Sequence, residues 1–188
     1  EKAIAVTYND LKAYKRADYK EKFAGKEVIY VYHNTIDAIG DHSTTENQVF
    51  DAAEKAIEEI MSIANSFIGN LSVSNIIITA DHGFLYKRDK LTLSDKINGV
   101  KLDDGEDGRR FILTDSNEEI EGTNIISMDY ILGENSGKNV ITPKGTMRFK
   151  VQGAGSNYVH GGSMLQEIVV PVIKFKLDRS KSTSNLVK

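Results

Sequence analysis

Ile76-Ile77-Ile78-Thr79-Ala80-Asp81-His82-Gly83, residues 76–83, joins a short apolar, β-branched run to a turn rich in metal-capable side chains. Three consecutive isoleucines bounded by polar residues read as a strand covered on both faces. Upstream, Val28-Ile29-Tyr30-Val31-Tyr32 has the same character and follows Gly25. Between them Val49, Ala53, Ala56, Ile57, Ile60, Ala64 and Phe67 recur at three- and four-residue steps. That spacing predicts a helix over 45–68, with Ser43, Thr44 or Thr45 as cap and Gly69 and Asn70 as stop. Strand, helix and strand in this order build a parallel βαβ unit. The expected class is therefore α/β, a largely parallel sheet flanked by helices, with 28–32 and 76–78 as parallel strands of one sheet.

Working outward, residues 10–22 are charged, with Leu11, Tyr14 and Tyr19 as sparse apolar points, and read as a surface helix or a mobile opening segment. Residues 87–110 are polar with little periodicity and are expected to form an exposed insertion. Further strands are predicted at 111–113, 124–128, 147–151 and 168–175; Pro171 in the last removes a donor and marks an edge or a bulge. Residues 1–179 are expected to be one domain and 180–188 a flexible tail rich in Lys, Ser, Thr and Asn.

Composition narrows the function classes. With 188 residues, 40% of them hydrophobic, the chain can bury one real core. A net charge of -3 gives no global basic footprint, so strong non-specific nucleic-acid binding is not expected of this piece, although nucleic acid stays among the candidate partners through a local patch. No cysteine is present, which removes disulfides and thiolate metal sites and leaves any transition metal to His, Asp and Glu. No apolar run approaches the roughly 20 residues of a membrane span, and residues 1–10 lack the layout of a signal peptide, so a cytoplasmic location without membrane contact is expected. The chain opens on Glu1 rather than Met and enters patterned sequence at once, which reads as a piece of something longer.

Three short segments put metal-capable side chains at predicted strand ends, where open parallel sheets place their ligands. They are Asp37-Ala38-Ile39-Gly40-Asp41-His42, then Thr79-Ala80-Asp81-His82-Gly83, and His160-Gly161-Gly162. Asp81 and His82 pair carboxylate oxygen with imidazole nitrogen, which suits zinc or manganese better than calcium. Taken alone, the pair equally suits a polar turn in which Asp81 caps the backbone. Asp37 and Asp41 are four apart and share a face if that stretch is a helical turn, where two carboxylates repel unless a cation sits between them. The competing use of Asp41 and His42 is as caps of the following helix, and either of the two serves as the ligand. His160 stands before two glycines that permit close backbone approach to an ion or a phosphate, though a lone His beside glycines is more often a turn residue. Co-occurrence changes the balance: three of the chain's four histidines, His42, His82 and His160, fall in these three segments. The acidic stretch 103–107 lacks the spaced D-x-D-x-D-G register of a calcium loop.

The order DxxG[HD], TADHG, then HGG followed by a strand resembles the metal-ligand series of the alkaline phosphatase superfamily. The text from Tyr32 to Asp37, and above all Tyr158-Val159-His160-Gly161-Gly162-Ser163-Met164-Leu165-Gln166-Glu167-Ile168-Val169-Val170-Pro171, looks specifically like the PglZ domain of bacterial BREX phage-defence systems, in its later part. The resemblance implies an alkaline-phosphatase-like fold and two divalent metal ions, zinc or manganese. Asp37, Asp41 (or His42 next door) and His160 would hold one ion, and Asp81 with His82 the other. It implies a phosphohydrolase or phosphodiesterase acting on a phosphate-containing substrate alongside other BREX components, a DNA methyltransferase among them. His33 would be an outer-sphere donor to a ligand carboxylate, or a hydrogen-bonding group at a strand end. Arg148 would contact phosphate, or lie on the solvated face of its strand. The family's nucleophile normally lies upstream, and nothing before Asp37 matches it, so the fragment is expected to be inactive alone. The alternative is a degenerate domain of the same fold that serves as an assembly or docking module.

Overall fold

A computed structural model describes residues 2–97, 106–150 and 157–177. Chain order begins β1 (Ala3–Thr7), α1 (Tyr8–Ala13), α2 (Arg16–Phe23), β2 (Val28–Tyr32), α3 (Thr35–Gly40), α4 (Val49–Leu71) and β3 (Asn75–Thr79). It continues β4 (Leu85–Tyr86), β5 (Lys96–Ile97), β6 (Glu106–Asp107), β7 (Ile112–Thr114), β8 (Thr123–Ser127) and α5 (Asp129–Leu132). The last elements are β9 (Asn139–Pro143), β10 (Arg148–Phe149), β11 (Tyr158–Val159), α6 (Leu165–Ile168) and β12 (Val172–Lys176). Contacts divide the chain into two compact units, one from the described residues of Glu1–Ile36, Asp51–Thr79 and Pro171–Lys188, the other from those of Asp37–Phe50 and Ala80–Val170. The tail 180–188 and most of the acidic stretch 103–107 lie outside the described residues.

In the first unit β1 and β2 pair in parallel, Ala3 opposite Val28 through Thr7 opposite Tyr32. Period-2 alternation turns Ile4, Val6, Ile29 and Val31 to one face, where they meet Ile63 and Phe67 of α4. The charged opening segment is two short helices, and its sparse apolar residues are the ones that bury: Leu11 and Tyr19 join Phe23 and Phe67 in the core, with Tyr14 packed against it. Each helix start is fixed by an acidic side chain three residues on. Asp10 accepts from the Thr7 amide at 3.0 Å, and Asp18 from the Lys15 amide at 2.7 Å. The long helix forms as its apolar period predicts but outruns Gly69 and Asn70 to Leu71. It stops at Ser72, whose φ of 58° is the left-handed conformation of a helix end.

The sheet corrects one expectation. β2 and β3 belong to different hydrogen-bonded ladders: β2 pairs with β1, while β3 pairs antiparallel with β12, Ile78 opposite Ile173. Strand, helix, strand order is indifferent to which neighbour takes each edge, and β1 was not anticipated. Pro171 lies just ahead of β12, so 168–175 is not one strand; Ile168 ends α6 and pairing starts at Val172.

The second unit is built on the antiparallel sheet β6-β7-β9-β8, with Ile112 and Ile141 at its centre and Ile97, Phe149, Ile120, Ile125 and Met147 packed around them. Two small ladders, β4 with β11 antiparallel and β5 with β10 parallel, complete it. The ladders are thus small and mixed. Two further corrections belong here: Arg110, inside the stretch expected to be exposed, is fully buried, and Arg148, read as solvated, is 2% exposed.

Candidate metal centre

Each ligand-bearing segment is held by contacts that its neighbours dictate. Asp37 sits on α3, and its carbonyl accepts the Asp41 amide at 3.0 Å, so the stretch is the helical turn that spacing suggested. Tyr158, fully buried at the start of β11, donates its hydroxyl to Oδ1 of Asp37. Its ring lies flat against Gly40, where a Cβ would come 2.7 Å from the ring carbons. Glycine is therefore required beside Asp37 for Tyr158 to reach it. Burial chiefly, then the bond to Asp37 and the charges of Asp37 and Asp41, push the Tyr158 hydroxyl far above its ordinary pKa, so it remains a donor.

His82 is oriented by its own turn. Its Nδ1 lies 3.0 Å from the carbonyl oxygen of Gly83, and a carbonyl can only accept, so Nδ1 carries the proton. The lone pair of the neutral ring is then on Nε2, which faces Asp37 Oδ2 at 3.7 Å. The His160 ring stacks on His82 with centroids 4.2 Å apart and planes 6° from parallel. Asp37, His82 and His160 each offer a ligand atom within 4.8 Å of the others. A four-coordinate zinc site with bonds of about 2.0–2.1 Å needs ligand atoms about 3.4 Å apart, so closing this set takes small rotations.

The remaining predicted residues lie as follows. Asp41 Oδ1 is 3.0 Å from Arg109 and 3.3 Å from His160 Nε2, so the carboxylate is shared between a guanidinium and an imidazole. His42 is exposed, and its carbonyl caps the turn by accepting from Thr45 and Glu46. The Asp81 side chain is 86% exposed, with Oδ1 accepting the His82 amide at 3.0 Å. His33 pairs with Glu59 at 2.7 Å in the first unit, beside Thr35 and the Tyr8 ring. Arg148 is interior, facing the carbonyls of Thr146 and Asn157.

Sequence reasoning missed Tyr158, Arg109, Arg110 and Glu167. Arg109 donates to Asp41 and, at 2.9 Å, to the Tyr158 carbonyl, while Arg110 and Glu167 form a buried pair at 2.7 Å. The one available cue was Glu167 standing, after Gln166, between Met164-Leu165 and Ile168-Val169-Val170. Nothing local marks the two arginines.

Residues 1–175 match the family described as "PglZ: BREX system PglZ alkaline phosphatase-like domain". The chain is 55% identical over 186 residues to "Alkaline phosphatase-like protein PglZ" of Bacillus cereus (strain H3081.97), covering 99% of this chain and 22% of that protein. It is 33% identical over 185 residues to "Alkaline phosphatase-like protein BrxZ" of Escherichia coli O9:H4 (strain HS), covering 93% of this chain and 20% of that protein. It thus spans about a fifth of the length of these curated relatives.

Proposed function

The chain belongs to the PglZ family of BREX alkaline phosphatase-like domains, and on that premise we propose that it supplies the metal-holding part of a phosphate-ester hydrolase centre in phage defence. The observation that carries this reading is the convergence of Asp37, His82 and His160 from three distant segments, with ligand atoms within 4.8 Å. Two imidazole nitrogens and one carboxylate oxygen suit zinc or manganese and leave positions open for water or a phosphate oxygen. Asp41 or its neighbour His42, with Asp81 beside His82, would complete a second site. Bound divalent ions would supply charge neutralisation of the phosphate and activation of an attacking oxygen. The chain's own residues do the positioning. Tyr158 fixes one oxygen of Asp37 so that the other faces the imidazoles, and the Gly83 carbonyl fixes the His82 tautomer. The nucleophile would come from another part of a longer protein, working in the cytoplasm with other BREX components such as a DNA methyltransferase; among the described residues no helix is long and apolar enough to cross a membrane.

The test is metal content and turnover of bis-p-nitrophenyl phosphate by the full-length protein. Zinc or manganese retained by wild type, and both metal and turnover lost in His82→Ala, support the reading; residues 1–188 alone should be inert. A metal-free, inactive full-length protein that still assembles with its partners would favour the docking module. The observation on that side is that Asp41 is bound by Arg109 and Asp81 faces solvent.

A further inference from the structure

Glu167 touches both imidazole-bearing loops at once. Through its backbone it accepts the Gly83 amide at 2.8 Å, one residue past His82. Through its side chain it accepts the Gly162 amide at 3.0 Å, two residues past His160, and the Met164 amide at 3.1 Å. The same carboxylate receives Arg110 Nε at 2.9 Å and Nη2 at 2.7 Å. A carboxylate has about four lone-pair positions, and these four donors fill them. Neither partner reaches water: Arg110 is 0% and Glu167 1% exposed.

Gly83 is demanded by the α6 backbone and Gly162 by this pair. A Cβ on Gly83 would stand 2.1 Å from the Gln166 carbonyl oxygen. One on Gly162 would stand 2.7 Å from Glu167 Oε2 and 2.8 Å from Arg110 Nε. The loops therefore approach α6 and its Arg110 partner as closely as a backbone can.

We propose that the buried Arg110–Glu167 pair is the positioning clasp of the metal centre, setting the separation of His82 and His160 by holding the backbone one residue past the first and two residues past the second. This rests on the metal-holding reading given above. A buried, fully paired charge suits the task because half-broken arrangements are costly, which leaves the clasp one geometry. The device is stiff, so the backbone that carries the two imidazoles is set before an ion arrives, and only side-chain rotations remain.

The test uses the full-length protein with zinc as the probe. In metal-free wild type, the Gly83 and Gly162 amides should resist hydrogen exchange; free exchange at both would overturn the proposal without any variant. Glu167→Gln should weaken zinc affinity about tenfold, the scale of outer-shell changes at metal sites. Because that variant leaves Arg110 buried without its counter-charge, the double variant Glu167→Gln/Arg110→Met provides a form free of the orphan charge, and it should show the same loss. Ile112→Val, a core change in β7 within the cluster of Ile97, Ile141 and Phe149, should keep wild-type affinity. Equal zinc affinity in wild type and both clasp variants, or an equal loss in Ile112→Val, sinks the clasp. Wild type that binds no zinc or manganese at all sinks the metal-holding reading instead.

Discussion

Tyr158 donates its hydroxyl to Asp37 across 121 positions of sequence, and it reaches the carboxylate only because residue 40 has no side chain. One bond therefore ties the first ligand segment to the strand that leads into the third. Tyr158→Phe keeps the buried ring and removes only the donor. The expected outcome is a folded protein with unchanged melting temperature to within a degree or two and about tenfold weaker zinc binding, read by calorimetry. Gly40→Ala attacks the same relationship sterically. Its Cβ would sit 2.7 Å from the Tyr158 ring, and the expected loss is about 1–3 kcal/mol in a denaturant titration.

Gly83→Ala should be the more damaging glycine substitution. The obstacle is the Gln166 carbonyl oxygen, 2.1 Å from the new Cβ, and backbone cannot swing aside as a tyrosine ring can. We expect a loss of about 3 kcal/mol or more, with the Gly83 to Glu167 bond broken. Wild-type stability in this variant would show that the loop is free to move away from α6.

How much of this was legible in the sequence differs between fold and site. Apolar period marked α4, and apolar runs marked β2 and β3, although those strands are covered on one face and not both: Val28, Tyr30, Tyr32 and Ile77 are exposed. Of the sparse apolar points in the charged stretch, Leu11 and Tyr19 are buried and Tyr14 packs against them. Pairing partners were not legible. β2 and β3 look alike in composition, yet one ladder is parallel and the other antiparallel, since edge choice depends on the remote strands β1 and β12. In the site, segments rich in Asp, His and Gly were visible because ligand chemistry restricts residue type. The groups packed around them were not: Arg109 and Arg110 lie in a polar stretch with little periodicity, which predicts exposure, and the buried partner of Arg110, Glu167, is 57 positions away.

The first unit carries a pH dependence of its own. Burial pushes the Glu59 carboxyl up, but hydrogen bonds from Thr35 and His33, with the charges of His33 and Lys55, bring it below its ordinary value overall. A folded-state pKa below the unfolded one means the stabilisation is present above the unfolded value of about 4.3 and lost as pH falls through the folded value. Thermal unfolding from pH 7 down to pH 3 should therefore show a fall that Glu59→Gln makes shallower. Identical pH profiles for the two proteins would show that Glu59 is not linked to folding.

The predicted ligands should differ in cost when removed, and the ranking is a test of the geometry rather than of the motif. His82 and Asp37 face each other at 3.7 Å, and His160 stacks on His82. Asp81 stands mostly in solvent with one oxygen committed to the amide of His82. A motif-based reading makes Asp81 and His82 equal partners on one ion, so their alanine variants should lose metal equally. The observed arrangement makes Asp81→Ala the milder change, felt through a looser turn, whereas His82→Ala and Asp37→Ala remove ligand atoms outright. The measurement is the stabilisation of the full-length protein by zinc. Binding at a hundredfold excess over Kd raises stability by about 2.7 kcal/mol, an increment large enough to rank variants by melting temperature. Asp81→Ala should retain most of that increment and the other two little of it. An Asp81→Ala variant that loses the increment as fully as His82→Ala would mean that Asp81 turns inward when the ion binds, and that Asp37, His82 and His160 are not the whole of the first site.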